Sequence, residues 1–153
     1  MRIRYRHTQR ATTILLGLAL IAPVIIAVLV LTLTLVTPAN LRAVAAVSIV
    51  VLMLLAGTGW YFSSMTVEVT DDEVRWFFGP GGYFRIARAE IESVAPVRHP
   101  VLAGYGIRWM GPKRWTHIVS GRDVVELRLK SGGYCRLGTD DRVQLLAALV
   151  AGK

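Results

Sequence analysis

The sequence predicts a two-helix transmembrane hairpin followed by a mainly β domain, and three observations predict it. Two long uncharged runs occupy residues 11–36 and 43–62. From Met65 onward apolar and polar residues alternate, which is the period of half-buried strands. Glycine and proline clusters then cut the remaining chain into short pieces. On this reading residues 1–62 comprise a basic flank and two membrane helices, and residues 63–153 form one cytoplasmic domain.

The first run, Ala11 to Val36, holds 26 residues, sixteen of them Leu, Ile or Val. A helix rising about 1.5 Å per residue would reach roughly 39 Å, against a hydrocarbon core about 30 Å thick. Each of the sixteen contributes about −0.3 to −0.6 kcal/mol to insertion, so the sum strongly favours lipid. Pro23 implies a kink that a spanning helix tolerates. The second run, Ala43 to Phe62, has 20 residues and closes with Trp60, Tyr61 and Phe62, an aromatic group suited to the headgroup layer. Only Thr37 to Arg42 separates the runs, with Pro38 and Asn40 supplying turn chemistry, so the helices are antiparallel neighbours. Arg2, Arg4, Arg6 and Arg10 precede the first run while the connection holds only Arg42, which places the N-terminus and the C-terminal domain in the cytoplasm of a plasma (inner) membrane. A cleavable signal peptide would carry an apolar core of only about 7–15 residues and no second span. Neither run has a polar face, so they are not core helices of a soluble protein.

In the domain, Met65, Val67 and Val69 alternate with Thr66, Glu68 and Thr70, and a second strand runs from Glu73 to Phe78. The two-residue turn Asp71-Asp72 sets Val69 opposite Val74, Val67 opposite Trp76, Met65 opposite Phe78 and Glu68 opposite Arg75. Further strands are expected at Tyr83–Ile86, Ile91–Arg98, Gly106–Met110 and Trp115–Val119. The clearest late hairpin joins Asp123–Lys130 to Tyr134–Gly138 through Ser131-Gly132-Gly133. That loop would pair Leu129 with Cys135 and Leu127 with Leu137 inside, and Arg128 with Arg136 outside. A closing helix, capped by Thr139 or Asp140, would bury Val143, Leu146, Ala147 and Val150.

Charge and composition exclude several classes. The net charge is +8, but residues 63–153 carry thirteen of the eighteen Lys/Arg against all ten Asp/Glu, too mild an excess for a nucleic-acid binder. The single cysteine, Cys135, rules out an intrachain disulfide framework and reads as a small core residue. Ser120, His117 and Asp123 lie too close in sequence to converge as a triad. Gly79-Pro80-Gly81-Gly82 lacks the ending of a phosphate loop, and Asp71-Asp72-Glu73 and Asp140-Asp141 lack the alternating ligands of a calcium loop. No catalytic, metal or cofactor constellation stands out, and the chain reads as non-enzymatic.

From Met65 to Ala151 the order of elements resembles a bacterial pleckstrin-homology-like (PH-like) domain of small membrane proteins. The residues that carry the resemblance are Ile86, Glu90-Ile91 and Ser93-Val94; Gly104-Tyr105-Gly106-Ile107-Arg108-Trp109; and Val125-Glu126-Leu127, Gly132-Gly133 and Leu137-Gly138-Thr139-Asp140-Asp141. The resemblance implies a partly open barrel of about seven strands, two curved sheets plugged by the C-terminal helix, serving binding or assembly rather than chemistry. The acidic first hairpin loop departs from the basic loop of phosphoinositide-binding members, which speaks against head-group binding there.

One constellation invites a binding role: Arg108, Trp109, Lys113, Arg114, Trp115 and Arg122, with Arg128 and Arg136 added by the expected late hairpin. Basic residues gain about 1 kcal/mol each beside an anionic leaflet, and tryptophan suits its headgroup layer. The competing explanation is that the tryptophans are core and the charges only solubilise. The expected function is a membrane-anchored binding or scaffold module that recruits a protein partner, self-associates or contacts lipid head groups. The alternative is an accessory subunit acting through its helices, where Ala45, Ala46, Ser48, Gly57 and Gly59 allow close approach. Neither nucleic acid nor a small-molecule substrate is expected.

Overall fold

The computed structural model describes residues 2–35, 38–100 and 104–151. Helices α1 (Thr12–Leu35) and α2 (Pro38–Tyr61) form the hairpin. Both are long and apolar enough to cross a membrane, and almost none of either is buried. Their hydroxyls are satisfied within the helices: Thr32 and Ser48 donate to the carbonyls of Val28 and Val44, and Thr34 to that of Leu31. Such pairing is what a span without water demands. The second helix begins five residues earlier than expected, with Pro38 as its first residue, so Asn40 and Arg42 are helical rather than part of a turn. Proline fits a first helical position because its missing N–H would have no partner there. Thr37, the first residue of the expected connection, and Val36, the last of the first run, lie outside the described residues.

Residues Ile3–Arg10 are not a mere charged flank. They form strand β1, antiparallel to β2 (Ser64–Thr70), with Tyr5 opposite Val69 and Arg10 opposite Ser64. Tyr5 and Gln9 are buried, and Arg6 reaches Glu68 at 3.3 Å. The β domain therefore uses chain from both sides of the hairpin. The ladder continues into the helices: the Ala11 amide donates to the Ser63 carbonyl at 2.8 Å.

One sheet has the order β1-β2-β3-β4, with β3 at Glu73–Phe78 and β4 at Phe84–Ala87. The β2–β3 register follows the expected pairing residue for residue, from Met65 opposite Phe78 to Val69 opposite Val74. The second sheet has the order β5-β8-β9-β7-β6, built from β5 (Ile91–Arg98), β6 (Gly106–Trp109), β7 (Arg114–Ile118), β8 (Asp123–Leu129) and β9 (Tyr134–Gly138). All pairs are antiparallel except β7–β9, because β9 inserts between β7 and β8. Eight described strands follow the hairpin, one at each expected segment and close to the expected total of about seven; β1 is the addition, and neither sheet closes on itself.

The β8–β9 hairpin corrects the expected register. Leu127 faces Cys135, Val125 faces Leu137 and Glu126 faces Arg136, so each partner is displaced by two. The turn is Lys130-Ser131-Gly132, with Leu129 bonded to Gly133 and Gly132 at φ +78°. A three-residue hairpin loop places its left-handed residue third, and Gly132 rather than Gly133 takes that place. A shift of two keeps every side chain on its face, so the core residues survive the correction and only the charge pairing changes.

Helix α3 (Arg142–Val150) packs against β5, β8, β1 and β2. Its buried residues are Leu145 and Leu149, helped by Leu146 and Ala148, whereas Val143, Ala147 and Val150 are exposed. The expected stripe was thus rotated. Asp141 precedes the helix without a side-chain cap, and Thr139 Oγ1 accepts the Asp141 amide. At the far end Arg88 donates to the carbonyls of Ala148, Leu149 and Ala151, filling helix-end acceptors. Of the aromatic trio at the end of α2, only Trp60 is exposed; Tyr61 and Phe62 pack on the domain core, Phe62 edge-on to Phe78 at 5.4 Å.

Candidate functional site

The inner faces of the two sheets meet on a core of Met65, Val67, Val69, Val74, Trp76, Phe78, Val125, Leu127 and Leu137. Helix α3 fills one opening between them, beside β1 and β5. The other opening, between β4 and β7, is a cleft of about 510 Å³. A volume of that order suits a small-molecule site. Its walls are Trp76, Phe84 and Ile86 from the first sheet and Trp115, His117, Leu129 and Cys135 from the second; Arg85, Lys113, Ser131 and Tyr134 form its rim.

Alternation along the strands explains why these side chains converge. Trp76 and Phe84 are register partners, and their rings stack at 5.8 Å with 12° between planes. His117 is the second inward residue of β7 and lies 5.2 Å from the Trp76 ring and 5.0 Å from that of Phe84. Only 3% of His117 is exposed, and burial pushes its pKa down to about 4, so it is neutral at physiological pH. Its Nδ1 lies 3.6 Å from the Cys135 sulfur, whose thiol burial pushes up to about 12. Neutral imidazole beside neutral thiol is not an activated nucleophile pair, since activation requires a thiolate. Trp76 Nε1 and His117 Nε2 are buried without a protein hydrogen-bond partner among the described residues. Such groups are uncommon and costly in a finished core.

The basic and aromatic residues singled out from the sequence are divided by the fold. Trp109 and Trp115 are register partners on the inward row of β6 and β7, yet 64% and 44% exposed, because the first sheet ends before covering them. Trp115 lines the cleft, Trp109 lies beside it across the ladder and outside the lining, and neither is core. Lys113 sits in the turn beside them at φ +55°, held by its own Nζ donating to the Ser131 carbonyl at 2.9 Å and its carbonyl accepting from Tyr134. Arg108, Arg114, Arg128 and Arg136 lie on the opposite, outer face of the same sheet. There Glu126 accepts from Arg128 at 3.1 Å and Arg136 at 2.8 Å, and the Arg136 guanidinium lies over the Tyr134 ring at 4.3 Å. Burial pushes the Glu126 carboxyl up, but the two guanidiniums outweigh it and hold the group below its usual range. Arg128 and Arg136 are not register partners; both bond Glu126, which offsets part of that face's charge.

Arg122 stands apart again. Its neighbour Ser120 is tied to the start of α1, through Gln9 Nε2 donating to the Ser120 carbonyl at 3.1 Å and a 2.9 Å hydroxyl pair with Thr12. Trp115 lies near the start of β7, whereas Arg122 lies in the loop beyond its last residue, Ile118. The fold therefore divides the set between the two faces of the second sheet and the loop after β7. Asp123 pairs with Arg142 at 2.9 Å and Ser120 faces the helices, so neither approaches His117 as a triad. Arg4 occupies Asp71 in the first hairpin loop and lowers its carboxyl pKa through a side-chain hydrogen bond. Among the described residues no three His, Cys, Asp or Glu side chains gather to hold a metal ion.

Sequence reasoning missed Trp76, Phe84 and His117 as site residues. Alternation showed that Trp76 faces inward, but nothing local showed that the sheet opposite stops short. No protein-family model, curated protein or solved structure matches the chain.

Proposed function

We propose that this chain is a membrane-anchored, non-catalytic binding module of the PH-like type, with its N-terminus and β domain in the cytoplasm. The observation that carries the reading is the cleft between β4 and β7: an apolar cavity open to solvent, with the partly exposed Trp115 in its wall and the exposed Trp109 beside it. Monomeric domains rarely leave two inward-row tryptophans exposed without a partner for them. The anchor rests on helices whose apolar surfaces are exposed all round and on in-helix pairing of their hydroxyls. A PH-like arrangement is supported by two facing sheets with a terminal helix filling one gap, and the acidic, Arg4-occupied first loop argues against head-group recognition there.

Photo-crosslinking in intact cells tests the reading. A photoreactive amino acid at position 115 should yield a defined adduct, and the same group at exposed Val143 on α3 should not. Equal adducts at both positions, or none at 115, would reject the cleft as the working surface. An accessory subunit acting through its helices is the second reading, favoured by an apolar groove of about 490 Å³ between α1 and α2 that reaches Gly59. Replacing both spans with unrelated apolar helices should abolish activity only if that version holds.

A further inference from the structure

The cleft has a chemical character that narrows its occupant, and this inference rests on the binding-module reading above. Its walls are aromatic and aliphatic, and among the eleven lining residues there are two cations, Arg85 and Lys113, and no carboxylate. Neither cation is ion-paired among the described residues: Arg85 alternates with Phe84 and Ile86 and lies opposite Arg75, so its long side chain reaches the mouth only around the free edge of β4, and Lys113 Nζ donates to the neutral Ser131 carbonyl. An apolar pocket rimmed by unpaired cations selects a molecule that is greasy at one end and anionic at the other.

Two further features agree. Trp76 Nε1 is a donor only, and it lies buried and unpartnered in the wall. His117 Nε2, equally buried and unpartnered, becomes a second donor when the Cys135 thiol donates to Nδ1. Unpaired donors in the wall are costly, and they mark it as unfinished without an occupant. At the rim, Lys113 is held in a left-handed conformation that few non-glycine residues adopt, fixed by Ser131 and Tyr134. Strained residues persist where surrounding structure holds them, and here the result is an ammonium kept at the mouth.

We propose that the cleft between β4 and β7 binds a small apolar carboxylate, with its apolar body between the Trp76–Phe84 stack and Trp115 and its carboxylate toward Arg85 and Lys113. The pattern of the sequence pointed to no small-molecule ligand, because the rim residues are far apart in the chain and the cavity arises only where the sheets diverge.

The test uses the full chain in lipid nanodiscs, with empty nanodiscs as the partition control. The probes are 2-naphthoate, decanoate and the uncharged 2-naphthylmethanol. Binding is read by saturation-transfer NMR and by protection of Cys135, the only cysteine and part of the cavity wall, from a small thiol reagent. One or both acids should bind saturably and slow Cys135 modification at least tenfold, with the better acid showing whether the body is aromatic or acyl. Arg85→Gln with Lys113→Gln should weaken acid binding at least tenfold and leave the alcohol unchanged. Trp76→Phe should weaken it several-fold. If the alcohol binds as well as the acids, and the double variant changes nothing, the carboxylate assignment is overturned while the cleft remains a binding site. If none of the three probes binds or protects Cys135, the assignment fails; should the crosslink at position 115 also be missing, the binding-module reading falls with it.

Discussion

At the residue scale, burial decides what each polar group contributes. His117 is neutral when folded, with a pKa near 4, and near 6.5 when unfolded. Below pH 6.5 the unfolded chain takes up a proton that the folded chain refuses, so stability falls as pH drops from about 6.5 toward 4. The full loss is about 3 kcal/mol. Thermal unfolding of the chain in micelles should show this decline, and His117→Leu should remove that part of it; an unchanged pH dependence in the variant would contradict the assignment. Glu126 makes a second case. Its partner Arg128 is 64% exposed and Arg136 only 24%, so Arg128→Ala should cost below about 0.5 kcal/mol and Arg136→Ala about 1–2 kcal/mol in denaturant titrations. The acidic neighbours of Arg4 and Arg6 were visible as charges in the sequence, but their pairing was not. Arg4 meets Asp71 and Arg6 meets Glu68 only because β1 lies beside β2.

Among the elements, the β2–β3 hairpin was fully legible and the β8–β9 hairpin only in part. In the first, a two-residue turn between strictly alternating strands leaves one register that buries Val67, Trp76 and Phe78 together. In the second, Gly132 and Gly133 both take positive φ, so the glycine pair does not mark which residue ends the loop, and alternation cannot tell registers two residues apart. What decides is a contact distant in sequence. The Lys113 carbonyl lies against Gly133 and accepts the Tyr134 amide, joining β7 to β9. A methyl group at Gly133 would overlap that carbonyl, and its φ of +97° disfavours any other residue. Gly133→Ala should therefore lower stability by more than about 2 kcal/mol, whereas Gly82→Ala, with open space around it, should stay within about 0.5 kcal/mol. Helix α3 gives a parallel contrast. Leu145→Ala should cost about 2–5 kcal/mol and Val143→Ala almost nothing, the reverse of what the sequence stripe implied.

For the whole molecule, the consequential feature is that the domain is built from both sides of the hairpin. Strand β1 covers the edge of β2, and the ladder passes directly into α1 and α2 through Ala11 and Ser63. Deleting residues 2–9 should uncover that edge, expose Met65, Val67 and Val69, and make the domain sensitive to limited proteolysis while the helices still insert. Retained protease resistance would show that β1 is dispensable. The same geometry puts both ends of the hairpin on one side of any bilayer it crosses. Single cysteines placed at Ser131 and at Arg2 in a Cys135→Ser background should therefore share one labelling pattern with a membrane-impermeant reagent.

By itself the sequence determined the two long helices and the strands that follow them, with the inward faces of those strands; the buried face of α3 it did not. Hydrophobic runs and period-two alternation are local properties, and water and lipid act on them residue by residue. Tertiary structure alone decided that residues 3–10 are a strand, that β9 separates β7 from β8, and that a cleft opens between β4 and β7. Each of those depends on which distant backbone groups hydrogen-bond and on where one sheet ends over the other, and no local pattern encodes either.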